Sequence, residues 1–145
     1  VMKKKKGTKK KKRINVLFIE DDLPTIDVYE IAFSTANIKL DALNFGKDAM
    51  ERIEKIVAGK AKKPDLILLD LILPDINGVH ILAELKKHKE TADIPVFVVT
   101  NYSDKELERL ACQYNPEKYL CKVNFTPLQL TKLIRDFFDK EANRK

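Results

Sequence analysis

No apolar run in this chain approaches the ~18 residues needed to cross a membrane as a helix. The amino terminus starts with lysines but lacks the apolar stretch of a secretory signal, so no such leader is expected. Cysteine is scarce: Cys112 and Cys121 stand alone, without CxxC or histidine spacing, and read as reduced thiols in the core or near the surface. A cytoplasmic setting follows as the expectation. No repeat beyond a βα unit is visible, and 145 residues give room for one domain with a proper core.

Acid is absent from residues 1–13 (VMKKKKGTKKKKR), which hold nine Lys and Arg. The whole chain has 28 basic and 22 acidic residues, so removing those nine leaves 19 against 22, a balance of about −3. The basic pI therefore describes a tail and not a domain. Such a segment cannot bury apolar surface and is expected to be disordered. It offers salt-dependent attraction to nucleic acid, anionic lipid or another acidic surface, with a solvated tail as the simpler reading.

What is present is a fivefold alternation of strand and helix patterns from residue 14 onward. Strands are expected at residues 14–19, 38–43, 65–69, 94–99 and 117–121. INVLFI, DLILL and IPVFVV are almost wholly apolar, as in strands covered on both faces, whereas IKLDAL and KYLC are mixed and suit sheet edges. Right-handed crossovers then give a doubly wound parallel α/β sheet, flavodoxin-like (βα)5, in the order 2-1-3-4-5. Pro24 marks the first helix, whose apolar content is Ile26, Val28, Tyr29, Ala32, Phe33 and Ala36. Ala49, Ile53 and Ile56 repeat at helical spacing in the second helix, and Gly78, Leu82 and Leu85 in the third. Ser103 with Glu106 and Thr126 with Gln129 match capping boxes, and Pro127 opens a last helix with Leu130, Leu133, Ile134 and Phe137 inward.

Five polar side chains stand where strands stop: Glu20 and Asp21, Asp70, Thr100, and Lys122. In a parallel sheet of this order they converge at the reversal between the first and third strands, where ligands bind. Two carboxylates ~4 Å apart repel by ~4 kcal/mol at an effective dielectric of ~20. Three require a cation or raised pKa values. Oxygen donors, few in number, favour Mg²⁺ with retained waters, and the Lys122 amine and Thr100 hydroxyl then suit an incoming phosphoryl group. Asp70 is the expected acceptor.

FIEDD, LLDLILPDING, VFVVTN and YLCKV, in that order on this pattern, resemble a response-regulator receiver domain of two-component signalling over residues 14–141. The resemblance leaves residues 1–13 as the basic tail and 142–145 as the carboxyl end. It implies that Asp70 takes phosphate from a sensor histidine kinase, a phosphotransfer protein or a small phosphodonor. Asp21, Asp70 and the carbonyl of Ile72 would ligate Mg²⁺, with Glu20 acting mainly through water. Lys122 would pair with phosphoryl oxygens, Thr100 would turn toward them, and Tyr119 would change rotamer. The chain would then be a signalling receiver and not an enzyme. The face made by the fourth helix, the fifth strand and the last helix would engage a downstream protein or a second copy. Asp22 is expected to cap the first helix or face solvent, Asp75 to belong to the loop opening the third, and His80 and His88 to lie on the surface.

The chain also departs from the receiver pattern. Receivers commonly carry Lys-Pro, typically cis, where this chain has Lys122-Val123, and a cis bond before Val costs ~2.5–4 kcal/mol, so a trans bond is expected. NPEKY replaces the usual Gly-Ala-Asp approach to the fifth strand, and Asn101 is larger than the small residue usual after the switch threonine. Ile72 and Tyr102, both bulky, flank the phosphate position. Two other readings stay open: a pseudo-receiver that binds partners without phosphorylation, and a haloacid-dehalogenase-type phosphatase. The latter needs an acid where Ile72 stands.

Overall fold

The structure, a computed structural model, describes residues 12–101 and 104–143. Residues 1–11, which carry most of the basic tail, lie outside the described part, as do Tyr102 and Ser103. Strand β1 (Ile14–Ile19) has every residue buried except Asn15, as its apolar run demands. It pairs in parallel with β2 (Ile38–Leu43) on one side and β3 (Leu66–Leu69) on the other. β4 (Val96–Thr100) follows β3, and β5 (Lys118–Cys121) closes the order 2-1-3-4-5. The fully buried strands β3 and β4 are central, and the partly exposed β2 and β5 form the edges.

Alternate residues of the central strands feed two cores. Val16, Phe18, Leu66 and Leu68 meet α1 (Leu23–Ser34) and α5 (Pro127–Asn143) through Tyr29, Phe33, Leu130 and Ile134. Leu17, Ile19, Ile67 and Leu69 meet α2 (Gly46–Val57), α3 (Gly78–Lys87) and α4 (Lys105–Cys112) on the other face. Val28, counted with the apolar content of α1, is exposed, as are Leu23 and Ile31 on the same helix.

The helix starts follow local chemistry. Asp22 caps α1, accepting from the Thr25 amide at 3.1 Å. Thr126 and Gln129 form the reciprocal capping box at α5, with bonds of 2.9 and 3.0 Å. At α4 the cap is Asp104, which accepts from the amides of Glu106 and Leu107, while the expected cap Ser103 lies outside the described residues. Asp104 stands one residue nearer the helix, and its carboxylate also favours the positive helix end.

Two ties fix the loop after β3. Asp75, in the β3–α3 loop, accepts from the amides of Gly46 and Lys47 at 2.8 and 2.9 Å, so the loop is fastened to the start of α2. Gly78 brings α3 against the strand: its amide donates to Leu71, and an added Cβ would sit 2.5 Å from Leu71 Cα and 2.7 Å from the Asp70 carbonyl. Gly78→Ala is therefore expected to cost about 1–3 kcal/mol by overpacking backbone against backbone. Denaturant unfolding tests this, and a loss below ~0.5 kcal/mol, within the range of ordinary surface changes, would show that the loop yields freely.

Candidate functional site

The register places the polar strand ends abreast. Ile19 is level with Leu69, so Glu20 and Asp70 emerge side by side, and the Asp70 amide donates to the Ile19 carbonyl at 3.0 Å. Thr100 is level with Cys121, so Thr100 and Lys122 close the other side. Glu20, Asp70 and Thr100 are 1%, 5% and 0% exposed, while Asp21 faces solvent. One carboxylate oxygen from each of Glu20, Asp21 and Asp70 lies within 4.8 Å of the others. The three acids expected to converge do so.

Lys122 bridges the buried pair. Its Nζ donates to Glu20 Oε1 and, at 3.0 Å, to Asp70 Oδ2, with its side chain 8% exposed. The remaining oxygens are aimed by backbone: the Asp22 amide donates to Glu20 Oε2 and the Ile72 amide to Asp70 Oδ1, each at 3.0 Å. Burial pushes the Glu20 carboxyl up to about 7; the Lys122 bond opposes this and the charge of Asp70 adds to it. Burial works against the Lys122 ammonium, but its bond to Glu20 and the two carboxylate charges outweigh this and raise its pKa.

Thr100 Oγ1 and the Tyr119 hydroxyl are buried without a hydrogen-bond partner among the described residues. The Tyr119 ring packs with the core under α3 and α4, and burial first, then nearby acidic groups, push its hydroxyl up to about 12. Ile72 is 45% exposed beside Asp70. All described peptide bonds are trans, including Lys122–Val123, which begins a short 3-10 turn over Lys122–Asn124. His80 is exposed, and His88 is half-buried against Glu84 at 2.8 Å. Cys112 is exposed, Cys121 half-buried, and both are free.

Sequence reasoning took Tyr29 as core alone. It is buried and stacks on Phe18 with centroids 5.4 Å apart, yet it also lines a cleft of about 310 Å³ with Pro24, Val28, Lys122 and Val123. Only its place two turns into the helix that follows the acidic pair could have signalled this. The tie from Asp75 to α2 was also missed, because a loop carboxylate reaching another helix leaves no local pattern.

Residues 16–135 match the family described as the response regulator receiver domain. The phosphate regulon transcriptional regulatory protein PhoB of Pseudomonas aeruginosa is 26% identical over 121 residues, a match covering 83% of this chain and 49% of that protein. The response regulator protein VraR of Staphylococcus saprophyticus is 29% identical, covering 89% of this chain and 58% of that protein. The chain thus spans about half the length of these curated relatives. Among solved structures, the phosphorylated cyanobacterial phytochrome response regulator RcpA superposes with a TM-score of 0.74 at 25% identity, covering 87% of this chain and 91% of that one. The Mn(2+)-bound form of response regulator Rcp1 gives 0.76 at 25% identity, over 86% and 94%. Family match, strand order and converging acids agree, and the chain belongs to the response-regulator receiver domain family of two-component systems.

Proposed function

We propose that this chain is a phosphoacceptor that takes a phosphoryl group on Asp70 in a phosphorelay. The observation that carries this reading is the buried Asp70 carboxylate, bonded to Lys122 and grouped with Glu20 and Asp21. Asp70 would form the new O–P bond as the bond from phosphorus to the donor breaks. The donor would be a histidine kinase, a phosphotransfer protein or a small acyl phosphate. Lys122 holds one phosphoryl oxygen in place and offsets its charge. The all-oxygen donor set fits Mg²⁺, which Asp21, Asp70 and the Ile72 carbonyl would hold directly and Glu20 mainly through water; bound there, the ion would neutralise phosphoryl oxygens. The RcpA and Rcp1 structures, phosphorylated and Mn²⁺-bound respectively, are consistent with this chemistry.

The switch rests on Thr100. A buried hydroxyl without a partner costs about 1–3 kcal/mol, and a phosphoryl oxygen at Asp70 would give it an acceptor. Tyr119, equally unpartnered, lies beneath α4 and would respond to that movement, reshaping the face of α4, β5 and α5 for a downstream protein or a second copy. Exposed Leu23, Val28 and Ile31 on α1, with Val123 nearby, supply apolar surface beside the cleft for the phosphodonor. A phosphatase of the haloacid dehalogenase type would need an acid where Ile72 stands.

Incubation with acetyl phosphate and Mg²⁺ should add one acid-labile phosphate per chain, and a chelator should prevent it. Labelling that survives chelation would remove the metal from the account, and no labelling under either condition would favour the unphosphorylated interaction module. The bulk of Ile72 leaves attacking water little room and no side chain to orient it. Dephosphorylation is therefore expected to be slow, and Ile72→Asn should speed it. Decay within seconds in the parent, unchanged in the variant, would refute that assignment.

A further inference from the structure

The cleft of about 310 Å³ beside Lys122 offers more than a seat for a bare phosphate. Pro24, Val28, Tyr29 and Val123 supply apolar lining, and Asn101 and Lys122 are among its polar groups. Part of that lining is held firmly. Pro24 stands in the first turn of α1 with φ fixed by its ring. Tyr29 is 5% exposed, stacked on Phe18 with the ring planes 7° apart, and packed against Phe33. Val28 and Val123 are 48% and 77% exposed, so their methyl groups are uncovered. Lys122 joins the cleft to the acceptor, since the side chain that lines it also donates to Asp70 Oδ2 at 3.0 Å. Burial raises the pKa of the Tyr29 hydroxyl; the charge of Lys122 opposes this, and those of Glu20 and Asp70 add to it. The phenol therefore stands in the field of the same three groups.

We infer that this cleft holds the acyl group of a small phosphodonor, and that Val28 and Val123 select an aromatic acyl phosphate over acetyl phosphate. The inference rests on the phosphoacceptor reading above. In the step it concerns, an Asp70 oxygen forms the new bond to phosphorus as the bond from phosphorus to the acyl oxygen breaks, and the electron pair leaves on the carboxylate. The phosphoryl group is common to all acyl phosphates, so Lys122 does not tell them apart. Discrimination falls to the acyl group, and the cleft adjoins Lys122 where that group would lie. An acetyl methyl covers little of the lining. A flat ring would cover the methyl groups of Val28 and Val123 and meet the Tyr29 ring, removing apolar surface of both from water. The donor's two ends match the two parts of the site, an anion for Lys122 and an apolar body for the cleft.

The test is the second-order rate constant for labelling the full chain with acetyl, butyryl and benzoyl phosphate at one Mg²⁺ concentration. Benzoyl phosphate should exceed acetyl phosphate by about tenfold, the low end for an apolar pocket because the cleft is open to solvent. Val28→Ser with Val123→Ser, both at exposed positions, should bring that ratio near one. The donors are compared within each protein, so a general loss of activity cancels from the ratio. Equal constants in the parent, or a ratio that survives both substitutions, would overturn the role of the cleft. A larger constant for butyryl than for benzoyl phosphate would overturn the aromatic preference. Failure of the phosphoacceptor reading looks different: no donor would label the chain, and both readings would fall.

Discussion

Asp70→Asn is expected to abolish phosphate incorporation while leaving the fold intact. The amide oxygen of Asn can still accept from the Ile72 amide, as Asp70 Oδ1 does at 3.0 Å, so the loop after β3 keeps its anchor. What disappears is the nucleophilic carboxylate and its charge-assisted bond to Lys122. Lys122 then belongs to Glu20 alone, and loss of the neighbouring charge lets Glu20 ionise more readily. Phosphate assays with acetyl phosphate should fall to background in the variant, with a melting transition as cooperative as the parent's. Undiminished labelling would place the acceptor elsewhere.

The second large effect is on stability. Glu20 has an ordinary pKa of 4.5 and is pushed up to about 7 in the fold, chiefly by burial. The native state therefore binds more protons than the unfolded state between those values. This contribution is fully present below pH ~4.5 and is lost as pH rises through ~7. At ~1.4 kcal/mol per pKa unit, the metal-free protein should lose about 2–3 kcal/mol across that interval. Asp22 and Asp75, both held below their usual range by hydrogen bonds, contribute in the opposite sense, and only at lower pH. Mg²⁺ bound only by the folded form should add ~2.7 kcal/mol at 100 times its dissociation constant, and should do so more strongly at pH 7.5 than at pH 5. Melting curves at those two pH values, with and without Mg²⁺, check this. A midpoint that ignores the ion at both would contradict the convergence of the three acids on a metal.

Most of the architecture was legible because burial writes itself into runs of apolar residues. INVLFI and the LILL and VFVV segments could only be strands covered on both faces, and their order fixed where Glu20, Asp70, Thr100 and Lys122 would meet. The capping pair Thr126 and Gln129 was legible because both partners lie within one turn. What the chain did not disclose are ties between distant positions. Arg135 reaches Lys12 and Ala36, and Asp75 reaches Gly46 and Lys47, through hydrogen bonds that leave no local pattern in the chain. Nor did apolar identity fix exposure on α1, where Val28 and Ile31 face outward because only one stripe of that helix meets the sheet.

Borohydride reduction of the phosphorylated chain, followed by peptide mass spectrometry, tests the central claim most directly, because it converts an aspartyl phosphate to homoserine at the modified position. The account predicts homoserine at position 70 and at no other acid. Conversion at Asp21 or any other carboxylate, or none in a chain shown to carry acid-labile phosphate, would contradict it.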